Sequence, residues 1–251
     1  MSNGTQIELA VAGNRATVTF HTEGGLNVMS QTVLERLGQV VEQLAGQSGV
    51  RFCTLKGAGK VFIAGANIKE MAAFTPEQAR HLCVRGNQVM DALAGLPCVT
   101  VAVLHGAALG GGCEIALACD FRVAVPSAKI GLPETTLGLI PGWGGIRRMA
   151  QVVGPQTARR LVFSGTPLTA DEALGCGLID EVVGAPEELD QAVDKLFMEL
   201  VRGGPHAVGS AKRVLLGGSE PEAFRDCFTG PESREGLGAF VEKRPAKWME
   251  G

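Results

Sequence analysis

The chain has 251 residues, 45% of them hydrophobic and 20% charged, which is enough apolar material for a sizeable core and too much for a disordered polymer. A formal charge of −3 supplies no broad cationic face, so no nucleic-acid partner and no acidic membrane surface is expected, while a local basic pocket for phosphates stays open. Seven cysteines, an odd number without any CxxC pair, suit reduced thiols in a cytoplasmic compartment rather than a disulfide frame or a zinc site.

The start, MSNGTQIELA, has neither a basic stretch followed by an apolar core nor an Arg-rich amphipathic pattern, and no export or organelle signal is expected. Ile7 to Val11 alternate apolar and polar, Gly13-Asn14 supplies a turn, and Ala16, Val18 and Phe20 resume the alternation: a β-hairpin. Ser30 caps a helix whose Val33, Leu34, Leu37, Val40, Val41 and Leu44 share one face, completing a ββα unit. Val50 to Lys56 predicts another strand. Thr75-Pro76-Glu77-Gln78 forms a capping box that opens a helix running to about Leu93.

From Ala92 to Cys119 the only formal charge is Glu114, yet Pro97 and the glycines at 106, 110, 111 and 112 divide the stretch into a strand, a loop and a short helix. No membrane span is expected. The strand is Cys98 to Leu104, the helix about Gly112 to Ala118, and Phe121 to Val125 forms a further strand. From Glu187 onward strand signals fade and helical stretches separated by Gly-Gly or Gly-Pro breaks run to the end.

Glu114 follows three glycines and sits between Cys113 and Ile115. Buried there, its carboxyl resists ionisation, a property suited to proton transfer near neutral pH. The alternative is a side chain that escapes to solvent or caps a backbone group. Glu134 is the only charge between Lys129 and Arg147, in a run rich in glycine, proline and aliphatic residues. Spacing permits the two carboxylates to meet without requiring it. Gly110, Gly111 and Gly112 can bring backbone N–H groups and a helix N-terminus to a developing oxyanion, or simply make a tight turn. Trp143 either walls a pocket or fills the core. His21, His81, His105 and His206 have no helical metal-ligand spacing, and neither Ser30 nor Ser164 sits in a nucleophile elbow.

Four ordered segments together resemble the crotonase (enoyl-CoA hydratase/isomerase) superfamily. They are KVFIAGANIKEM at 60 to 71, HGAALGGGCEIALACD at 105 to 120, KIGLPETTLGLIPGWGGIRRM at 129 to 149 and REGLGAFVEKR at 234 to 244. The resemblance implies an α/β fold, a spiral of repeated ββα units over residues 1–186 followed by a helical oligomerisation segment over 187–251. It implies reversible hydration of an enoyl-CoA thioester, with Glu114 and Glu134 as the acid/base pair and the backbone N–H groups of Ala66 and Gly111 as the oxyanion hole. Ala64, Gly65, Asn67, Ile68 and Lys69 would contact substrate, with Lys69 near a CoA phosphate. Gly142 and Trp143 would line the acyl site, and Phe240 and Lys243 would reach a neighbouring subunit's ligand.

The resemblance further implies a homotrimer or dimer of trimers, and neither a metal nor a redox cofactor, CoA being part of the substrate. Asn67 stands where the family commonly has Asp, and HTEGGLNVMS lacks the usual Arg-Pro start. Two other readings compete. One is a Δ3,Δ2-enoyl-CoA isomerase or a hydratase of a dienoyl or cyclic acyl-CoA. The other is a non-catalytic binding protein on the same scaffold.

Overall fold

The structure, a computed structural model, describes residues 4–249. The extreme ends of the two expected segments, residues 1–3 and 250–251, lie outside the described residues.

The predicted hairpin forms: β1 (Gln6–Ala12) pairs antiparallel with β2 (Arg15–His21) around the Gly13 turn. Helix α1 (Gln31–Ala45) begins where Ser30 Oγ accepts the Val33 N–H at 3.2 Å, and all six predicted apolar positions are buried. Next come β3 (Phe52–Gly57), the single-turn α2 (Ile68–Met71) and α3 (Pro76–Ala94). The capping box is present in both directions: Thr75 Oγ1 accepts from Gln78 N, and Gln78 Oε1 accepts from Thr75 N at 2.8 Å.

Strand β4 (Val99–Leu104) is buried at every position, as expected of a strand covered on both faces in a parallel sheet. It is followed by β5 (Ala108–Leu109), α4 (Gly111–Ala118), β6 (Phe121–Ala124), β7 (Lys129–Gly131) and a 3-10 turn over Pro133–Leu137. Then come α5 (Gly145–Ser164), β8 (Leu168–Thr169), α6 (Ala170–Gly175) and β9 (Glu181–Val182). After β9 the named elements are helical, principally α7 (Leu189–Leu200), α8 (Pro205–Leu215), α9 (Glu220–Cys227) and α10 (Glu232–Glu242).

The six-stranded sheet runs β1-β2-β3-β4-β6-β9, with every pair parallel after the hairpin, and a three-stranded sheet runs β5-β7-β8. The second sheet has no counterpart in the sequence expectations. Its strands have two or three residues each, too short for an alternation to register. Helix α5 is likewise unanticipated; Gly154 takes φ +77 just before Pro155 and interrupts its helical dihedrals midway.

Two cations, buried Lys212 and half-buried Arg51, tie the C-terminal segment to the sheet. Lys212 Nζ on α8 donates to Asp120 Oδ2 at 2.7 Å and to Cys98 O at 3.0 Å. Arg51, just before β3, donates to the carbonyls of Val201, Gly203 and Trp248. Among the described residues no helix is long and apolar enough to cross a membrane.

Candidate active site

Two backbone segments meet at the top of the sheets. The chain leaving β3 bridges to β5 at Ile63 and Ala108, and Gly112 passes so close to Ile63 O that a Cβ there would overlap it. Beyond it, Met29 N donates to Gly65 O at 2.9 Å and Asn67 N donates to Met29 O at 2.8 Å. That parallel bridge engages the groups flanking Ala66 and leaves the Ala66 N–H on the other side of the strand. Gly110 adopts φ +52, a backbone that a side chain would strain, and its turn delivers Gly111 as the first residue of α4. The first N–H groups of a helix have no intrahelical acceptor and sit at the positive end of its dipole.

Ala64, Gly65, Ala66, Gly110, Gly111, Glu114, Glu134, Gly142 and Trp143 all line one cavity of about 440 Å³. Its other walls are mostly apolar, from Ile68, Met71, Leu82, Leu137, Leu139 and Ile140. Glu114 is 2% exposed, which removes the solvent-facing alternative. Its Oε1 accepts two backbone N–H bonds, from Trp143 at 2.7 Å and Gly145 at 2.9 Å. Burial pushes its carboxyl up to about 7, against the pull of those two bonds, and the nearby Glu134 charge adds to the rise. The Glu134 carboxyl is also raised by burial, and its Oε2 is buried with no hydrogen-bond partner among the described residues.

Trp143 satisfies both of its competing readings at once. At 4% exposure it belongs to the hydrophobic core, and it also forms a cavity wall. The indole lies between Gly86 of α3 and Gly111 of α4: a Cβ at Gly111 would stand 2.6 Å from Cζ3, and one at Gly86 would overlap Cδ1.

Four predicted contacts stand apart from this cavity. Asn67 caps α2 through its side chain, accepting from Glu70 N at 3.3 Å, and the exposed Lys69 follows on that helix. Phe240 is 83% exposed on α10, and Lys243 ends that helix with φ +57. None of the four lines the cavity within this chain.

Sequence reasoning missed Asn27, which is fully buried. Its Nδ2 faces the carbonyls of Phe20, Ala58, Val61 and Phe62 at 3.0 to 3.3 Å, and its main-chain carbonyl accepts Ala64 N–H at 2.8 Å. One residue, by side chain and backbone together, thus fixes the loop that leads to Ala66. The available signal was a lone Asn between Leu26 and Val28. Cys83 was also missed as a cavity residue; its Sγ donates to Gly142 O at 2.9 Å. Among the described residues no group of three or more His, Cys, Asp or Glu could hold a metal ion.

A parallel-sheet spiral with two raised carboxyl groups and two backbone turns around one apolar cavity defines an α/β protein with titratable groups facing an apolar ligand site. The enoyl-CoA hydratase/isomerase family matches residues 12–251. The chain is 36% identical to the short-chain-enoyl-CoA hydratase of Clostridium acetobutylicum, over 92% of this chain and 93% of the relative. It is 34% identical to the crotonyl-CoA hydratase of Syntrophomonas wolfei, covering 93% and 94%. The crystal structure of enoyl-CoA hydratase from Bacillus anthracis superposes with a TM-score of 0.87 at 33% identity, covering 98% of this chain and 99% of that one. The chain belongs to the enoyl-CoA hydratase/isomerase family of the crotonase superfamily.

Proposed function

We propose that the protein is an enoyl-CoA hydratase that adds water reversibly across the 2,3 double bond of an enoyl-CoA thioester. The observation that carries this reading is the pair of carboxyls on one cavity, Glu114 buried and raised to about 7 and Glu134 half-buried and raised by desolvation. Glu114, ionised and held by two N–H groups, takes a proton from water as its oxygen bonds to C3. Glu134, protonated, delivers a proton to C2. The thioester oxygen gathers negative charge between these events, and the N–H groups of Ala66 and Gly111 stabilise it, with the dipole of α4 assisting. The two carboxyls titrate as a coupled pair. Dehydration retraces the same steps.

The acyl group occupies the apolar end near Trp143 and Gly142, and the CoA portion leaves past Gly65 and Ile68 with Lys69 near a phosphate. Residues 187–251 form the oligomerisation segment on the spiral core of 1–186. Exposed Phe240 and Val241, at 83% and 78%, become the trimer contacts through which Phe240 and Lys243 reach a neighbour's ligand. All seven cysteines are unpaired, which supports a cytoplasmic setting.

The test mixes purified protein with crotonyl-CoA and follows the loss of enone-thioester absorbance, with Glu114→Gln and Glu134→Gln alongside. Conversion to 3-hydroxybutyryl-CoA by wild type alone is the expected result. Binding of CoA thioesters without hydration by wild type overturns it in favour of isomerisation or a specialised acyl group.

A further inference from the structure

Glu114 is gripped by a loop, and that loop is itself gripped from behind by α3. The peptide unit joining Gly142 to Trp143 offers its N–H to Glu114 Oε1 at 2.7 Å. Its carbonyl, on the opposite edge, accepts Asn87 Nδ2 at 2.7 Å and Cys83 Sγ at 2.9 Å. The two peptide units that follow are held one on each side of the loop. Trp143 O accepts from Arg148 Nη1 at 2.9 Å, Arg148 is paired with Asp91, and Gly145 N–H returns to Glu114. Cys83, Asn87 and Asp91 are spaced four apart on α3 and therefore form one stripe facing the loop.

From this geometry we infer that Asn87 is a positioning residue for Glu114, acting through the Gly142–Trp143 peptide rather than by touching the carboxyl. The inference rests on the hydratase reading for its catalytic consequence. Two effects follow from one hydrogen bond. Donation to the carbonyl polarises the amide and strengthens the N–H on its other side. It also holds the peptide plane so that the N–H, not the carbonyl oxygen, faces the carboxylate. Without Asn87 the Gly142 oxygen keeps only a thiol donor, which is weak.

The charged and titratable groups around Glu114 are Glu134 from the 3-10 turn, Arg148 of α5, Asp91 of α3 behind it, and the thiols of Cys113 and Cys83. Asn87 is uncharged, so its removal changes the titration of Glu114 only through the peptide it polarises.

The chain contains two tryptophans, Trp143 and Trp248, so 15N-tryptophan labelling yields two backbone amide signals. The Trp143 amide reports the Glu114 carboxyl directly, and its shift is followed against pH in wild type, Asn87→Leu and Asn87→Ser, the second serving if the first does not fold. The midpoint is expected to rise by about half a unit in the variants. With it, kcat for crotonyl-CoA hydration should fall roughly threefold to tenfold while KM stays within about twofold. The acid limb of the rate profile should move up with the midpoint, because hydration needs Glu114 ionised. An unchanged midpoint in a folded variant overturns the inference. A wild type without hydratase turnover removes the functional reading instead, and the amide midpoint then decides the positioning by itself.

Discussion

The indole of Trp143 rests on the bare Cα of Gly86, with no space between them for a methyl group. The contact couples α3 to the cavity wall, so the size of residue 86 and the size of residue 143 are set jointly. Gly86→Ala is expected to lower stability by about 2 kcal/mol, an overpacking cost measured by urea denaturation. In a Trp143→Leu background the cost of Gly86→Ala should largely vanish. If Gly86→Ala costs as much there as in wild type, the contact is not the source.

Trp143→Leu alone enlarges the cavity at the wall against which the acyl group is proposed to lie. The ratio of kcat/KM for a longer enoyl-CoA over crotonyl-CoA should rise by about tenfold, the scale of discrimination for a small change in an apolar pocket. Competition assays with C4 and C8 enoyl-CoA thioesters check it; an unchanged ratio would place the acyl group elsewhere.

Glu114→Gln keeps an oxygen able to accept both backbone N–H bonds but cannot take a proton from water. Hydration should drop by about a thousandfold with little change in circular dichroism. Any double-bond shift from 3-enoyl to 2-enoyl thioester should suffer less. Equal retention of hydration removes Glu114 from the base role.

Glu114 also leaves a mark on stability. Its folded carboxyl ionises near 7 against an ordinary value of 4.5, so the folded state holds an extra proton between those values. The stability this group contributes is present below about pH 4.5 and is lost as pH rises through about 7, a change on the order of 3 kcal/mol. Glu134, also raised by burial, acts in the same direction. Glu114→Gln should therefore gain on wild type between pH 5 and pH 8 in urea midpoints; parallel curves would contradict the burial account.

Lys212 is 8% exposed and paired with Asp120. Lys212→Met should cost about 3 kcal/mol, because it strands a carboxylate. Asp120→Asn made in the same chain should return part of it. Guanidinium unfolding of the four chains gives the coupling, and additive losses would argue that the pair acts independently.

The sequence carried the early fold because its signals there are local. Ser30, Thr75 and Gln78 cap helices within three residues of themselves, and the alternation on either side of Gly13 needs only its neighbour strand. Glu114 and Glu134 stood out as lone charges in apolar segments, and both line the cavity. What stayed hidden depends on long-range contact. Nothing near Asn87 or Arg148 signals that each bonds a carbonyl in the loop between Gly142 and Gly145. Gly86 looks like an ordinary helix glycine until Trp143 is seen against it. The two-residue strands β5 and β8 are joined into one sheet by β7, which lies between them.

Asn27 joins the end of β2, the turn after β3 and the chain at Phe62 through a single side chain. Those segments lie on either side of α1 in the chain, so the loop that leads to Ala66 holds this shape only where the hairpin is docked. During refolding, ligand affinity should consequently return late, after the secondary structure signal has recovered. A truncation or substitution that loosens the hairpin edge would then silence the enzyme while leaving most of its helices intact.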